Sequence, residues 1–412
     1  MAARALLLVG SGDQAFREYS LRSVAERFPV ALLTDRDLTW QRPYVAWHAT
    51  ADFADRAATL RAAQALSARA DTAGLLTWDE RYVELCADIA GQLDLPYCDP
   101  DAIRICKDKS RLRALLAGHA DLAVRFAVAH DAESAARAAE AIGYPVVLKP
   151  LALGGSAGVT AVSDPADLED AFAGASAAHI GSTVSAYGGV LIEEYLEGPE
   201  YSVDCLTFDG ETTPLVVAEK FLGMAPHFEE IGHVVPPRPH PAMREALDRV
   251  RRVHRLAGLD RLVTHTEFRL TPRGPRIIEL NTRLGGDLIP YLGLLALGVD
   301  LARAAAEAAM GERPQIDANA GCAAAVRFFY PSTDMAIDDV SLPHAGERYP
   351  GLVEFRSIVT PGQELRLPPR EYLSRCAFAV ATGRDQEACA TCLDAVESRL
   401  VISGRPLVET FV

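Results

Sequence analysis

Two glutamates, an asparagine and an arginine crowd into HTEFRLTPRGPRIIELNTRLGGD, residues 265–287. Two β-type runs flank a turn made of Thr271, Pro272, Arg273, Gly274 and Pro275. A hairpin symmetric about Arg273 sets Glu267 directly across from Glu279. Glu279, Asn281 and Arg283, spaced by two, share one face, and Ile278, Leu280 and Leu284 take the other, towards a core. Two carboxylates and an amide oxygen on one face are the hard oxygen donors that Mg²⁺ prefers. The other reading is a plain cross-strand charge cluster, with Arg283 neutralising two acids that would otherwise repel. Leu284, Gly285, Gly286 and Asp287 follow. Backbone amides at the paired glycines suit an anion, and a carboxylate or its phosphate fits between them and Arg283.

A second cluster suits phosphate. In GYPVVLKPLALGGSAGV, residues 143–159, a β run ends at Lys149 and a loop follows with Gly154, Gly155, Ser156 and Gly158. Glycines let backbone amides approach a phosphate, Ser156 adds a hydroxyl, and Lys149 supplies a point charge. The loop joins two strands and lacks the Gly-Lys-Ser/Thr of a Walker loop, so a glycine-rich hairpin with a surface lysine is the competing reading. Upstream, Lys107 and Lys109 precede a helix started by Asp108 or Ser110. In VLIEEYLEGPEYSVDCLTFDGE, residues 190–211, a strand runs into Glu193 and Glu194, turns at Gly198-Pro199 and restarts at Glu200. Such acids either solvate a sheet edge or pair with ribose hydroxyls and an adenine amino group.

The elements that must position these groups fall into three stretches. Residues 1–104 alternate β runs (5–9, 30–33, 74–77) with a helical pattern over 16–28, which predicts a parallel sheet covered on both faces. The turn Gly10-Ser-Gly-Asp13 lacks the third glycine of a dinucleotide fingerprint and reads as a tight strand-to-helix turn. Two prolines and two aspartates near residues 95–100 mark a boundary. Residues 105–315 carry the chemistry. Residues 316–412 open with the strand AAAVRFF and close with a helix and a short strand, a closing α+β unit.

With 412 residues the chain has room for two or three domains. The net charge of −15 and the lack of a basic run exclude nucleic acid as the expected partner. No stretch approaches the roughly 18 apolar residues of a membrane helix, and Leu6 to Val9 is too short for a signal-peptide core, so no membrane partner and a cytoplasmic location are expected. Eight scattered cysteines do not make a disulfide scaffold, and Cys389-x-x-Cys392 reads as two residues of an amphipathic helix.

Lys109, Lys149, the glycine loop, the Glu193-Glu-Tyr-Leu196 hinge, Glu267 and Glu279-Leu-Asn281-Thr-Arg283 stand in an order that resembles the ATP-grasp superfamily. Within it the chain looks most similar to the L-amino acid ligase branch, through Glu230-Ile-Gly-His233, HTEFR and RLGGD. The resemblance implies an α/β and α+β chain of three parts: an N-terminal Rossmann-like parallel sheet (1–104), an ATP-grasp domain (105–315) with a lid over about 125–195, and a C-terminal unit, with an antiparallel catalytic sheet. It implies ATP and Mg²⁺, with Mn²⁺ as substitute, and small-molecule carboxylate and amine substrates. A homodimer is the superfamily's expectation. Lys109 and Lys149 would contact the ATP phosphates, and Ser156 with Gly154 and Gly155 would form a flexible lid. Glu193, Glu194 and Leu196 would frame adenine, and Glu200 would hold ribose. Glu267, Glu279 and Asn281 would hold two magnesium ions, and Arg283, beside Gly286, the transferring phosphoryl group. Glu230 and His233 would face the amino acid substrates; for His233 the residues alone also allow a loop cap. Asp287 would line the carboxyl donor's pocket, where its charge departs from the branch. The implied reaction joins a carboxylate to an amine through an acyl phosphate. The rival readings are a carboxylase-like or nucleotide-biosynthetic ligase and a non-catalytic ATP-binding protein.

Overall fold

The computed structural model describes residues 4–180, 183–184, 187–319, 321–343 and 349–407. Strands β1 (Ala5–Val9), β2 (Val30–Thr34), β3 (Trp47–Thr50) and β4 (Thr72–Leu76) form an all-parallel sheet in the order β3-β2-β1-β4. The period of two in β1 explains why both its faces are apolar. Leu6 and Leu8 pack with Leu21 and Val24 of helix α1 (Gln14–Arg27), while Leu7 and Val9 pack with Leu66 of α2 (Arg56–Ala70) and Ile89 of α3 (Val83–Leu93). Each fully buried leucine stabilises the unit by about 1.5–3 kcal/mol. Edge strand β3 was not anticipated; its half-polar WHAT offers no apolar run.

After α4 (Pro100–Lys107) and α5 (Lys109–Leu116), a four-stranded antiparallel sheet is built from β5 (Phe126–Ala129), β6 (Val146–Pro150), β7 (Thr160–Val162) and, beyond the short β8 (His179–Ile180) and β9 (Thr183–Val184), β10 (Val190–Glu194). Helices α6 (Ala132–Ile142) and α7 (Leu168–Ala177) cover one face, burying Leu148, Val190 and Ile192. The opposite face carries Lys149 and Glu193 towards the site.

The largest sheet has eight strands, β15-β14-β11-β12-β13-β16-β20-β18. They are β11 (Glu200–Phe208), β12 (Glu211–Gly223), β13 (Glu229–Val235), β14 (Leu262–Thr271), β15 (Gly274–Asn281), β16 (Ala323–Phe329), β18 (Leu352–Ser357) and β20 (Ala377–Gly383). Helix α8 (Met243–Ala257) packs on Tyr201, Val203 and Cys205. On the other face, Val216, Ala218 and Val235 pack against α9 (Ile289–Leu297) and α10 (Leu301–Ala309), which also meet α1. Thus β16, β18 and β20 extend the central sheet, whereas the sequence suggested a separate closing unit from residue 316. Only β17 (Met335–Ser341), β19 (Gln363–Leu365) and β21 (Val401–Pro406) pair apart. Helix α11 (Gln386–Glu397) buries Cys389 and Cys392 as free thiols, as its amphipathic pattern suggested. No single helix among the described residues is long and apolar enough to cross a membrane.

Candidate active site

Glu267 and Glu279 do face each other across β14 and β15, but not through a turn centred on Arg273. Thr271 pairs with Gly274 and Phe268 with Ile277, which makes the connection two residues long. A bulge at Ile278 then shifts the register by one and brings Glu279 opposite Glu267. The bulged Ile278 lines the cavity and does not join the core that takes Leu280. The strand ends at Asn281, so Arg283 lies beyond it and Leu284 packs in the core across the sheet from Leu280.

All these groups surround one cavity of about 970 Å³, walled by the N-terminal unit, the four-stranded antiparallel sheet, the central sheet and Arg375 from the C-terminal stretch. Every site residue named from the sequence lines it except His233, which lies directly behind Glu230 and Asp287. On the four-stranded antiparallel sheet, Glu193 pairs across the strands with Val147, two residues from Lys149, so both side chains share a face; their charges meet at 2.6 Å. Arg113 also holds Glu193. Burial favours the neutral carboxyl, but Arg113 and Lys149 outweigh it and pull the Glu193 pKa to about 2. At Lys149 burial wins, and the ammonium sits below its usual pKa with Arg113 and Lys109 nearby. The glycine loop crosses above. Gly155 and Ser156 both take left-handed backbone (φ 62° and 56°), and a Cβ on Gly155 would come within 2.9 Å of the Leu373 side chain. Glu194 is held by Arg125 and Arg273 (3.2 and 2.7 Å), and the Leu196 carbonyl accepts from Arg269 at 2.7 Å.

A charged row crosses the floor of the cavity. The registers align Arg269, Glu200, Lys220 and His233 on four adjacent strands. Lys220 is buried and lies 3.1 Å from Glu200, 3.2 Å from Glu230 and 2.9 Å from Glu267. Burial alone would lower its pKa, but the three glutamates raise it well above the ordinary lysine value. Glu267 is correspondingly held well below the usual carboxylate range: burial opposes, and Lys220 and His265 prevail. Glu279 is 3.0 Å from Lys109, whose Nζ also donates to the Leu153 carbonyl oxygen at 2.7 Å. His265 bridges Glu267 and Asp204, each at 3.4 Å; they overcome its burial and lift its pKa to about 9. Asp204 in turn accepts from the Gly285 amide at 2.7 Å, which fixes the turn after Arg283. Arg283 reaches the N-terminal unit, 3.1 Å from Glu80.

Next to Lys220, Glu230, His233 and Asp287 converge, with one potential ligand atom from each within 4.8 Å of the others. His233 lies inside β13, so it does not cap a loop. Its Nε2 is 3.1 Å from Glu230 and 3.7 Å from Asp287, yet neither ring nitrogen is aligned for a hydrogen bond. Arg375 forks onto both oxygens of Asp287 (2.7 and 2.6 Å). Burial opposes the charge on Asp287, but Arg375 and His233 hold its pKa well down. Protein cations stand on carboxylates in both places, Arg375 on Asp287 and Lys220 and Lys109 on Glu267 and Glu279, but the all-oxygen set of Glu267, Glu279 and Asn281 suits magnesium better than a trio containing a histidine. Sequence reasoning missed Arg113, Lys220, Arg269 and Arg375. Lys220 had a faint signal, a lysine inside the apolar run PLVVAEKFLG. Arg375 had none, because only the fold brings it to Asp287.

Residues 142–291 match the ATP-grasp domain family. The chain is 28% identical to uncharacterized protein y4rH of Sinorhizobium fredii, over 80% of this chain and 68% of that one. It is 29% identical to carnosine synthase 1 of Gallus gallus, over 75% of this chain but only 35% of that protein, so it spans about a third of that relative. Its fold matches the crystal structure of an L-amino acid ligase from Bacillus licheniformis with TM-score 0.83 at 18% identity, over 98% of this chain and all of that one. The chain therefore carries a stretch similar to the ATP-grasp domain within a fold like that of the L-amino acid ligase structure. An amino acid ligase stands among its structural neighbours.

Proposed function

We propose that the protein joins the carboxylate of an amino acid to the amine of a second amino acid, consuming ATP and releasing ADP and phosphate. The observation that carries this reading is the sharing of one cavity. Lys109, Lys149 and the opposed Glu267–Glu279 pair line it together with Glu230 and Asp287, with His233 directly behind these two. A nucleotide and two small polar substrates suit a site of this volume and polarity.

In the first step a carboxylate oxygen attacks the γ-phosphorus of ATP, the bond to ADP breaks, and an acyl phosphate forms. Lys109 and Lys149 hold the phosphates, and Arg283 neutralises charge on the transferring group. Glu193, Glu194, Leu196 and Glu200 border adenine and ribose. The buried oxygen set of Glu267, Glu279 and Asn281 fits magnesium, whose bound form supplies charge neutralisation of the phosphates. In the second step the amine attacks the acyl carbon, the carbon–oxygen bond breaks, and phosphate leaves with that oxygen. The amine must lose a proton, and Glu230, beside His233, is placed to take it. The loop of Gly154, Gly155 and Ser156 keeps water from the acyl phosphate.

The test is ADP and phosphate release with ATP, Mg²⁺ and all pairs of the twenty amino acids, with products read by mass. Release that needs two amino acids, with a new mass equal to their sum minus water, is expected. Release with bicarbonate as the only carboxylate would replace this reading with a carboxylase-type one.

A further inference from the structure

The reaction above leaves the Gly10–Asp13 turn without a task, although it forms part of the cavity wall. Strand β1 delivers it, and α1, 14 residues long, starts directly behind it. Gly10 and Gly12 take left-handed backbone (φ 72° and 69°), which turns the chain sharply enough for the helix to begin at Gln14. Asp13 at the N-cap makes no side-chain capping bond, and the first turn of α1 carries no acid. The first-turn amides and their partial positive charge therefore lack a side-chain acceptor.

One turn into the helix is Arg17, 9% exposed. Its Nη2 donates to the Gly285 carbonyl oxygen at 3.1 Å. Among the described residues no carboxylate comes within ion-pair distance of it. The other arginines and lysines lining the cavity each have one. Arg269 has Glu200, Arg375 has Asp287, and Arg283 has Glu80. Burial holds the Arg17 pKa below the ordinary arginine value, with Arg283 adding repulsion. A buried guanidinium with no counter-charge, next to unfilled helix amides, is costly unless an anionic ligand completes it.

We propose that Arg17 and the Gly10–Asp13 turn bind the free carboxylate of the amino acid that supplies the amine. This rests on the ligase reading above. The donor's carboxylate is spent at the γ-phosphate, beside Arg283 and the metal ligands. The remaining carboxylate of a dipeptide-forming pair is the acceptor's, and Arg17 meets the Arg283–Asp287 turn from the N-terminal unit, through the Gly285 carbonyl.

The experiment compares amino acid acceptors with their primary carboxamides, using the full chain with ATP, Mg²⁺ and a fixed carboxyl donor. Wild type should favour the acid, with an acceptor KM about tenfold or more below that of the amide. Arg17→Met should raise the KM for the acid about 30-fold or more and leave that for the amide nearly unchanged. Arg17→Lys, which keeps the charge, should recover part of the preference. Equal loss with acid and amide would assign Arg17 to the phosphoryl group, and a wild type indifferent to the acceptor's carboxylate would overturn the proposal even if Arg17→Met failed to fold. If no pair releases ADP from wild type, the ligase reading fails. The carboxylate site is then read separately, by titrating each amino acid and its amide against the fluorescence of Trp78, whose Nε1 donates to the Ser11 carbonyl oxygen at 3.0 Å. A response to acids and not to amides supports it, and equal or absent responses overturn it.

Discussion

The two ends of the cavity are built differently. On the proposed nucleotide side the charged groups come as short clusters within one stretch of chain, from Lys109 to Glu279. Lys149 precedes the glycine loop, Glu193 and Glu194 adjoin Leu196, and Glu267 and Glu279 share a hairpin. At the substrate end, Arg17, Glu230, Asp287 and Arg375 come from the N-terminal unit, the central sheet, the turn after β15 and the C-terminal stretch. The first set is drawn from one continuous stretch of the chain. The second exists only once all the units have docked, so changes at distant positions can alter it while leaving the first set in place. Lys220 joins the two, touching Glu267 on one side and Glu230 on the other.

The largest effect is therefore expected at Lys220. Lys220→Met removes the cation shared by Glu200, Glu230 and Glu267 and should cost about 3–5 kcal/mol of stability, read by urea unfolding without magnesium. A loss under 1 kcal/mol would mean that the two ends are not tied through this residue. Glu279→Ala should lower turnover on the order of 10²–10³-fold while far-UV circular dichroism stays unchanged, because its carboxylate faces the cavity and not the core. Near-normal activity would remove it from the metal set. Arg375→Met should act on the substrate end alone, raising one substrate's KM about tenfold with the KM for ATP unchanged; a parallel rise for ATP would erase the distinction between the ends.

The smallest effect concerns acid. The Glu193 pKa is lowered from the ordinary 4.5 to about 2, so its contribution to stability is complete above about 4.5 and fades as pH falls towards 2. Wild type should lose unfolding free energy across that window, and Glu193→Gln should flatten the slope. An unchanged slope would mean that the ion pairs with Arg113 and Lys149 do not distinguish the folded state.

The same contrast governs what could be read from the sequence. The parallel sheet, the glycine loop, the hinge at Glu193–Leu196 and the facing glutamates were legible because each is encoded by neighbouring residues of period two or by turn chemistry. Even there the reason for the Glu267–Glu279 pairing was misjudged: a bulge at Ile278 compensates for a shorter turn, and nothing in RIIEL marks which isoleucine bulges. The continuation of the central sheet through β16, β20 and β18 was hidden because strand order is not a local property. Arg113, Arg269 and Arg375 were not singled out, because burial with a carboxylate partner appears only in three dimensions.

The central claim is that the carboxylate is activated as an acyl phosphate in this cavity. It is tested most directly by turnover with a carboxyl donor labelled with ¹⁸O in both carboxylate oxygens. Transfer of one labelled oxygen from each donor to the released phosphate, with ADP as the other product, is predicted. Unlabelled phosphate, or AMP in place of ADP, would contradict it.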